Sequence, residues 1–404
     1  MAVNLSDPSG LLPVAGVRLG SARAGIRYRD RDDLVVMAFD EGSSAAGVFT
    51  RNAFCAAPVH VARANLLSGH PRLALINSGN ANAGTGEPGM QDARESCAIA
   101  ARLSQLPDDA VLPFSTGVIG TRMNMAAFGP GIDAAIADLD ERGWDRAARA
   151  IMTTDTVAKA ISRTVVLPEG ELTITGMAKG AGMIRPDMAT MLAFVATDAG
   201  VDKGHLERVL KEVADASFNA ISVDGDTSTN DALLLVASGA SGIRLVPGSE
   251  GFTQWQAAVL EVCQLLAQAI VRDGEGATKF ITVRVRGGRN REECRSVAYT
   301  VAHSPLVKTA FFASDANWGR ILAAVGRSGL ADMRTELIDI HLDEVCIVRA
   351  GGADPDYSEE RGAAVMKRSE IVVTIDLGRG AAESVVWTTD LSHDYVTINA
   401  EYRT

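Results

Sequence analysis

The sequence predicts a mixed α/β fold, with an α/β core and a smaller C-terminal α/β domain. Three observations carry this. Short apolar runs bounded by turn residues, such as Leu34 to Phe39, Arg72 to Ile76 and Met191 to Thr197, have the length and punctuation of buried strands. Helical periods lie between them, the clearest being Asp202 to Phe218, with Leu206, Val209, Leu210 and Val213 on one face. The 39 glycines among 404 residues suit the many tight connections of such an alternation.

Composition narrows the function classes. The formal net charge is −11, without a basic block, which argues against nucleic-acid binding. No apolar run reaches the ~18 residues of a membrane span, and the N-terminal stretch lacks the basic and apolar regions of a signal peptide. The five cysteines (Cys55, Cys97, Cys263, Cys294, Cys346) are dispersed and odd in number, which reads as free thiols in a reducing cytoplasm. The six histidines show no zinc spacing.

In chain order, residues 12–60 read as short strands, including Ala46 to Thr50. Arg72 to Ile76 runs into Asn77-Ser78-Gly79-Asn80-Ala81-Asn82, an expected close-packed polar loop. Gly84-Thr85-Gly86-Glu87-Pro88-Gly89 has the form of a dinucleotide loop before a helix at Gln91 to Leu106. However, Glu87 and Pro88 stand where phosphate needs bare amides. A strand from Val111 meets Ser115-Thr116-Gly117, small enough for two successive backbone N–H groups to face outward as an oxyanion hole does. Two short helices over Asp133 to Ala150 end in the hydroxyl-rich Thr153-Thr154-Asp155-Thr156. Strands at Arg163 to Leu167 and Glu171 to Gly176 lead into a glycine loop at Lys179. Asp224 to Asp231 is dense in polar residues, but its register does not fit a calcium loop. A helix over Thr253 to Arg272 ends in Asp273-Gly274-Glu275-Gly276. Further helices start at Arg295, Ser304 and Glu359, and strands are expected at Phe280, Leu337, Val345, Ile371 and Ser384.

The most informative stretch is MAKGAGMIRPDMATMLAFVATD, Met177 to Asp198. Pro186 interrupts any helix and biases Arg185 towards extended backbone. Thr190 then opens a buried apolar run behind a glycine-rich loop. A strand threonine is the plain reading. The chemical reading is a nucleophile released as a new N-terminus by a cut between Ala189 and Thr190. Its α-amine, with a pKa near ~7.7–8.0, would serve as the base for its own hydroxyl.

Taken together, GVFTRN, NSGNANAGTG, STGVIG, AIMTTDT, KGAGMIRPDMATML, DTSTND, DGEGATK, SPLVKTA, DANWGR, TTDLSHDYV and the final NAEYRT resemble the ornithine acetyltransferase family of arginine biosynthesis, also called glutamate N-acetyltransferase. The match runs over almost the whole chain. The resemblance implies an N-terminal-nucleophile fold, with sheets packed between helices, that cleaves itself between Ala189 and Thr190. The products would be an α chain, 1–189, and a β chain from 190, paired as α2β2. Residues 190–280 would complete the core and 281–404 would form the C-terminal domain. It implies Thr190 as nucleophile, Thr116 and Gly117 as oxyanion hole, and Thr153 (rather than Thr154), Lys179, Thr190, Glu275, Asn399 and Thr404 as substrate contacts. Arg185 and Asp187 add charge before the cut, where members of the family vary.

The activity implied is acetyl transfer from N2-acetyl-L-ornithine to L-glutamate through acetyl-Thr190, with no metal or redox cofactor. Acetyl-CoA stays open as a second acetyl donor. Lys179 suits a substrate α-carboxylate, and Glu275 suits the ornithine ammonium. Three other readings stay open: an N-terminal-nucleophile aminopeptidase or amidase, a paralogous acetyltransferase of secondary metabolism, and a dinucleotide binder resting on GTGEPG alone.

Overall fold

The computed structural model describes residues 2–68, 70–185 and 191–401. These divide into two units by their internal contacts. One holds residues 7–219 and 226–270, the other residues 2–6, 220–225 and 271–401.

The first unit is built on two sheets. β1 (Val17–Ala22), β2 (Leu34–Phe39), β4 (Leu73–Asn80) and β5 (Val111–Val118) form a four-stranded sheet in the order β1-β2-β4-β5. β3 (Ser44–Phe49), β6 (Lys159–Leu167), β7 (Gly170–Lys179), β8 (Leu192–Thr197) and β10 (Ala232–Ala237) form a five-stranded sheet in the order β3-β10-β8-β7-β6. Strands β2 and β10 are apolar throughout, and β8 is apolar up to its last residue, Thr197, because both faces are covered. In β2, Val35, Met37 and Phe39 join Met177, Leu192, Phe194 and Leu234 in the core between the sheets. Leu34 and Val36 point the other way, into a second core with residues of α2 (Gly86–Ser104) and α3 (Met125–Ala137). Phe114 and Phe194 meet edge to face between the sheets, their ring centroids 5.0 Å apart.

On the outer face of the five-stranded sheet, Val262 and Leu266 of α6 (Glu250–Arg272) lie over Gly176, where an added Cβ would come within 3.0 Å of Leu266. α5 (Lys203–Ala216) packs on β3 and β10. The layers therefore run helix, sheet, sheet, helix. α1 (Ala57–Ser68) and α4 (Trp144–Ala150) close the edges, and Trp144 is fully buried.

The second unit has one mixed seven-stranded sheet. Its strands are β9 (Ile221–Ser222), β11 (Phe280–Gly288), β12 (Asp339–Leu342), β13 (Val345–Arg349), β14 (Gly352–Ala353), β15 (Glu370–Asp376) and β16 (Ala382–Thr389). Here alternation replaces continuous apolarity. Ile281, Val283 and Val285 are buried while Arg284 and Arg286 are exposed, as for a sheet with one covered face. The cover is α7 (Arg291–Ala302), α8 (Pro305–Phe312), α9 (Trp318–Gly326) and α10 (Glu359–Met366), and a last helix, α11 (His393–Glu401), ends the described chain. Ser304 accepts from the Val307 N–H and Pro305 takes the first helical position, so α8 starts where the sequence signals it.

The mixed α/β expectation holds, and several local expectations change. Asn77 to Asn80 continues β4 instead of looping, because Asn77 and Asn80 are satisfied by side-chain bonds in place of solvent. Lys179 is the last residue of β7, paired with Leu192, and not part of the glycine loop. α2 begins at Gly86, inside GTGEPG. α1 and α11 are helices that periodicity did not announce.

Candidate active site

β4 and β5 run parallel, and their pairing breaks at Gly79 and Asn80, where Asn80 faces both Thr116 and Val118. Gly117 lies at φ +133°, and a Cβ there would sit 2.2 Å from the Gly79 carbonyl carbon and 2.5 Å from the Asn80 nitrogen. Only glycine fits both demands. Buried amides hold this corner. Ser115 Oγ donates to Asn77 Oδ1 at 2.6 Å, and Asn77 Nδ2 donates to the Asn80 carbonyl at 2.9 Å. Asn230 Nδ2 donates to the Ala81 and Ser115 carbonyls at 2.6 and 2.9 Å. Residues 111 to 115 of β5 are buried, whereas Thr116 and Gly117 are the first to be partly accessible. The corner is thus braced by buried side chains and partly accessible at Thr116 and Gly117.

Lys179, at the end of β7, is buried and donates from Nζ to Thr116 Oγ1 at 3.2 Å. Behind it stands Asp155, whose carboxylate collects three donors: Lys159 Nζ at 2.6 Å, the Gly180 N–H at 2.6 Å and the Thr153 N–H at 3.0 Å. The Asp155 and Lys159 side chains are wholly buried. Burial alone would raise the Asp155 carboxyl. The charges of Lys159 and Lys179, with the hydrogen bonds, outweigh it and hold the group well below the usual carboxylate range. One anion therefore fixes both the turn after Lys179 and the backbone of Thr153.

A second buried carboxylate, Asp231, has the opposite balance. Burial pushes its carboxyl well above the usual range, against the Lys179 charge and hydrogen bonds from the Met191 backbone and the Ser228 side chain. Its Oδ2 accepts no hydrogen bond among the described residues. The loop before it is stapled by neighbouring motifs. Thr50 Oγ1 donates to the Ser228 carbonyl at 2.8 Å, Asn52 Nδ2 to the Thr227 carbonyl at 2.9 Å, and the Thr50 N–H to the Asp231 carbonyl at 3.0 Å. Sequence reasoning gave no role to Asp155 or Asp231. The only signal was a carboxylate inside each of two hydroxyl-rich motifs.

Thr116, Gly117, Lys179 and Thr153 are thus linked within the first unit. Glu275 and Asn399 are linked within the second, where Asn399 Nδ2 donates to Glu275 Oε2 at 2.7 Å. Ala189, Thr190 and Thr404 lie outside the described residues. The GTGEPG segment serves packing: an added Cβ on Gly89 would sit 1.9 Å from Thr85 Oγ1, and Asn82 Nδ2 donates to the Gly89 carbonyl at 2.9 Å.

A profile of the ArgJ family matches residues 18–404. The chain belongs to the ArgJ family. Two relatives, each named "Arginine biosynthesis bifunctional protein ArgJ", are 53% identical (Pseudomonas fluorescens) and 52% identical (Pseudomonas syringae pv. tomato) over 406 residues, covering the whole of both chains. The crystal structure of the protein of the same name from Bacillus halodurans is 41% identical. It covers 53% of this chain and 100% of its own, with a TM-score of 0.51. ArgJ membership favours the acyltransferase reading of the motifs over the aminopeptidase and dinucleotide alternatives. Among the described residues, no group of acidic, histidine or cysteine side chains could hold a metal ion, and no helix is long and apolar enough to cross a membrane.

Proposed function

We propose that this ArgJ chain transfers the acetyl group of N2-acetyl-L-ornithine to L-glutamate, after cleaving itself between Ala189 and Thr190. Thr190 Oγ attacks the acetyl carbonyl carbon while the Thr190 α-amine takes the hydroxyl proton. The N–H groups at Thr116 and Gly117 receive the oxyanion. When the tetrahedral intermediate collapses, the C–N bond breaks and the proton passes to the departing ornithine nitrogen, leaving acetyl-Thr190. The glutamate amine then attacks this ester, and N-acetyl-L-glutamate leaves as Thr190 regains its proton. Lys179 and Thr153 take the substrate α-carboxylate end, and Glu275, Asn399 and Thr404 take the side-chain end, with Glu275 against the ornithine ammonium.

The observation that supports this reading is the Lys179–Thr116 contact at the Gly117 corner, which sets a buried cation beside the two partly accessible residues of β5. The word "bifunctional" in the relatives' names supports acetyl-CoA as a second acetyl donor. The five free thiols agree with a cytoplasmic enzyme, and we infer that the two pieces assemble as α2β2.

Denaturing intact-mass measurement tests the central step. The 42.4 kDa chain should appear as pieces of roughly 20 and 23 kDa. Thr190→Ala should leave one uncut chain without acetylornithine–glutamate exchange. A single uncut chain that is still active would overturn the mechanism.

A further inference from the structure

We propose that Asp390 is a positioning residue that fixes Glu275 and Asn399 relative to one another and so sets the preference for the ammonium-bearing donor. This rests on the reading of Glu275 and Asn399 as contacts to the substrate side chain.

Asp390 is 3% exposed and belongs to no strand or helix; it sits between β16 and α11. Its carboxylate gathers three donors from two consecutive residues just after Glu275: the Thr278 N–H at 2.8 Å, the Lys279 N–H at 2.9 Å and the Thr278 hydroxyl. Two residues further on, Ser392 Oγ donates to the Gly276 carbonyl at 2.6 Å. Gly276 lies at φ +68°, and a Cβ there would come within 2.5 Å of the Tyr395 nitrogen, so the Glu275 loop is pressed against the first turn of α11. Lys308 backs the segment from the other side, with Nζ donating to Thr388 Oγ1 at 3.1 Å, Thr389 Oγ1 at 3.2 Å and the Thr389 carbonyl.

The sheet does not need this carboxylate. β16 is already in register with β11, Thr389 opposite Phe280. What Asp390 adds is the fixed approach of a loop to a helix. Asn399 lies on that helix, and its amide occupies Glu275 Oε2; among the described residues Glu275 Oε1 accepts no hydrogen bond. One carboxylate oxygen is thus held in place and the other presented. That geometry suits a side-chain ammonium and disfavours the side-chain carboxylate of glutamate. An amide at position 390 could accept on one oxygen only and would turn N–H groups towards N–H donors.

The test separates the two half-reactions of the exchange. Asp390→Asn should lower kcat/KM for N2-acetylornithine about tenfold, mainly through KM, and that for glutamate at most about twofold. Self-cleavage, which depends on the first unit, should proceed as in the unaltered chain. Glu275→Gln should show the same donor-selective loss. Parallel losses for donor and acceptor with Asp390→Asn, or no loss, would overturn the proposal. A loss with Glu275→Gln and none with Asp390→Asn would overturn it while leaving the function standing. Absence of exchange in the unaltered, cleaved enzyme would overturn the function instead. If Asp390→Asn does not fold, Ser392→Ala removes the link to Gly276 alone; donor-selective loss supports the proposal and unchanged kinetics overturn it.

Discussion

Lys179 Nζ lies 3.2 Å from Thr116 Oγ1, joining the end of a strand in the five-stranded sheet to the end of one in the four-stranded sheet. The ammonium is buried, so its charge acts at low dielectric on the corner where Thr116 and Gly117 are accessible. Lys179→Met keeps the length of the side chain and removes the charge. It should lower kcat/KM for acetyl exchange by about 10²-fold, read in a steady-state assay with acetylornithine and glutamate.

Asp155 supports that lysine from behind and neutralises Lys159, whose side chain is wholly buried. Asp155→Asn takes the carboxylate out of a wholly buried ion pair that also binds the Gly180 and Thr153 N–H groups, which should cost about 3–5 kcal/mol of stability. Urea unfolding checks this. Replacing both Asp155 and Lys159 with leucine should cost clearly less than the single change, because the buried ion pair is then removed whole.

Gly117→Ala meets two penalties at one atom: a backbone at φ +133° and a Cβ 2.2 Å from the Gly79 carbonyl carbon. The clash is with backbone, so β4 and β5 must part. We expect a loss of about 2–4 kcal/mol in thermal or urea unfolding, with self-cleavage slowed in the same protein.

Asp231 carries a pH signature. Its folded-state pKa is raised, so between the unfolded and folded values the folded chain binds more protons. Its contribution is therefore present at acid pH and is lost as pH rises through the raised value. Asp231→Asn cannot ionise. The Tm of the variant relative to the unaltered protein should rise from pH 5 to pH 8. A difference that is constant with pH would contradict the assignment.

The legibility of these features in the sequence depends on how local their causes are. Leu34–Phe39 is read with its observed bounds because two covered faces leave an uninterrupted apolar run. Asp202 to Phe218 comes within two residues of α5 at each end, since its stripe is set by its own period. α1 escaped because Val59 and Val61 resemble a strand, and its buried positions serve two different cores at once. The Asn77–Asn80 strand escaped because its amides are paid for by partners at Ser115 and Thr121, far along the chain. The site divides the same way. The small residues of the Ser115–Gly117 corner are visible locally, whereas the roles of Asp155, Asp231 and Asp390 exist only after distant segments meet.

The strand order β3-β10-β8-β7-β6 places strands from beyond residue 190 between strands from before it. A cut ahead of Met191 would therefore make folding history matter. The newly made chain finds its partners within one molecule, at the high effective concentration of a tether. The cut protein, once denatured, must find them by collision, so its recovery would depend on dilution and compete with aggregation. Maturation would then leave an enzyme that is easy to assemble once and hard to reassemble.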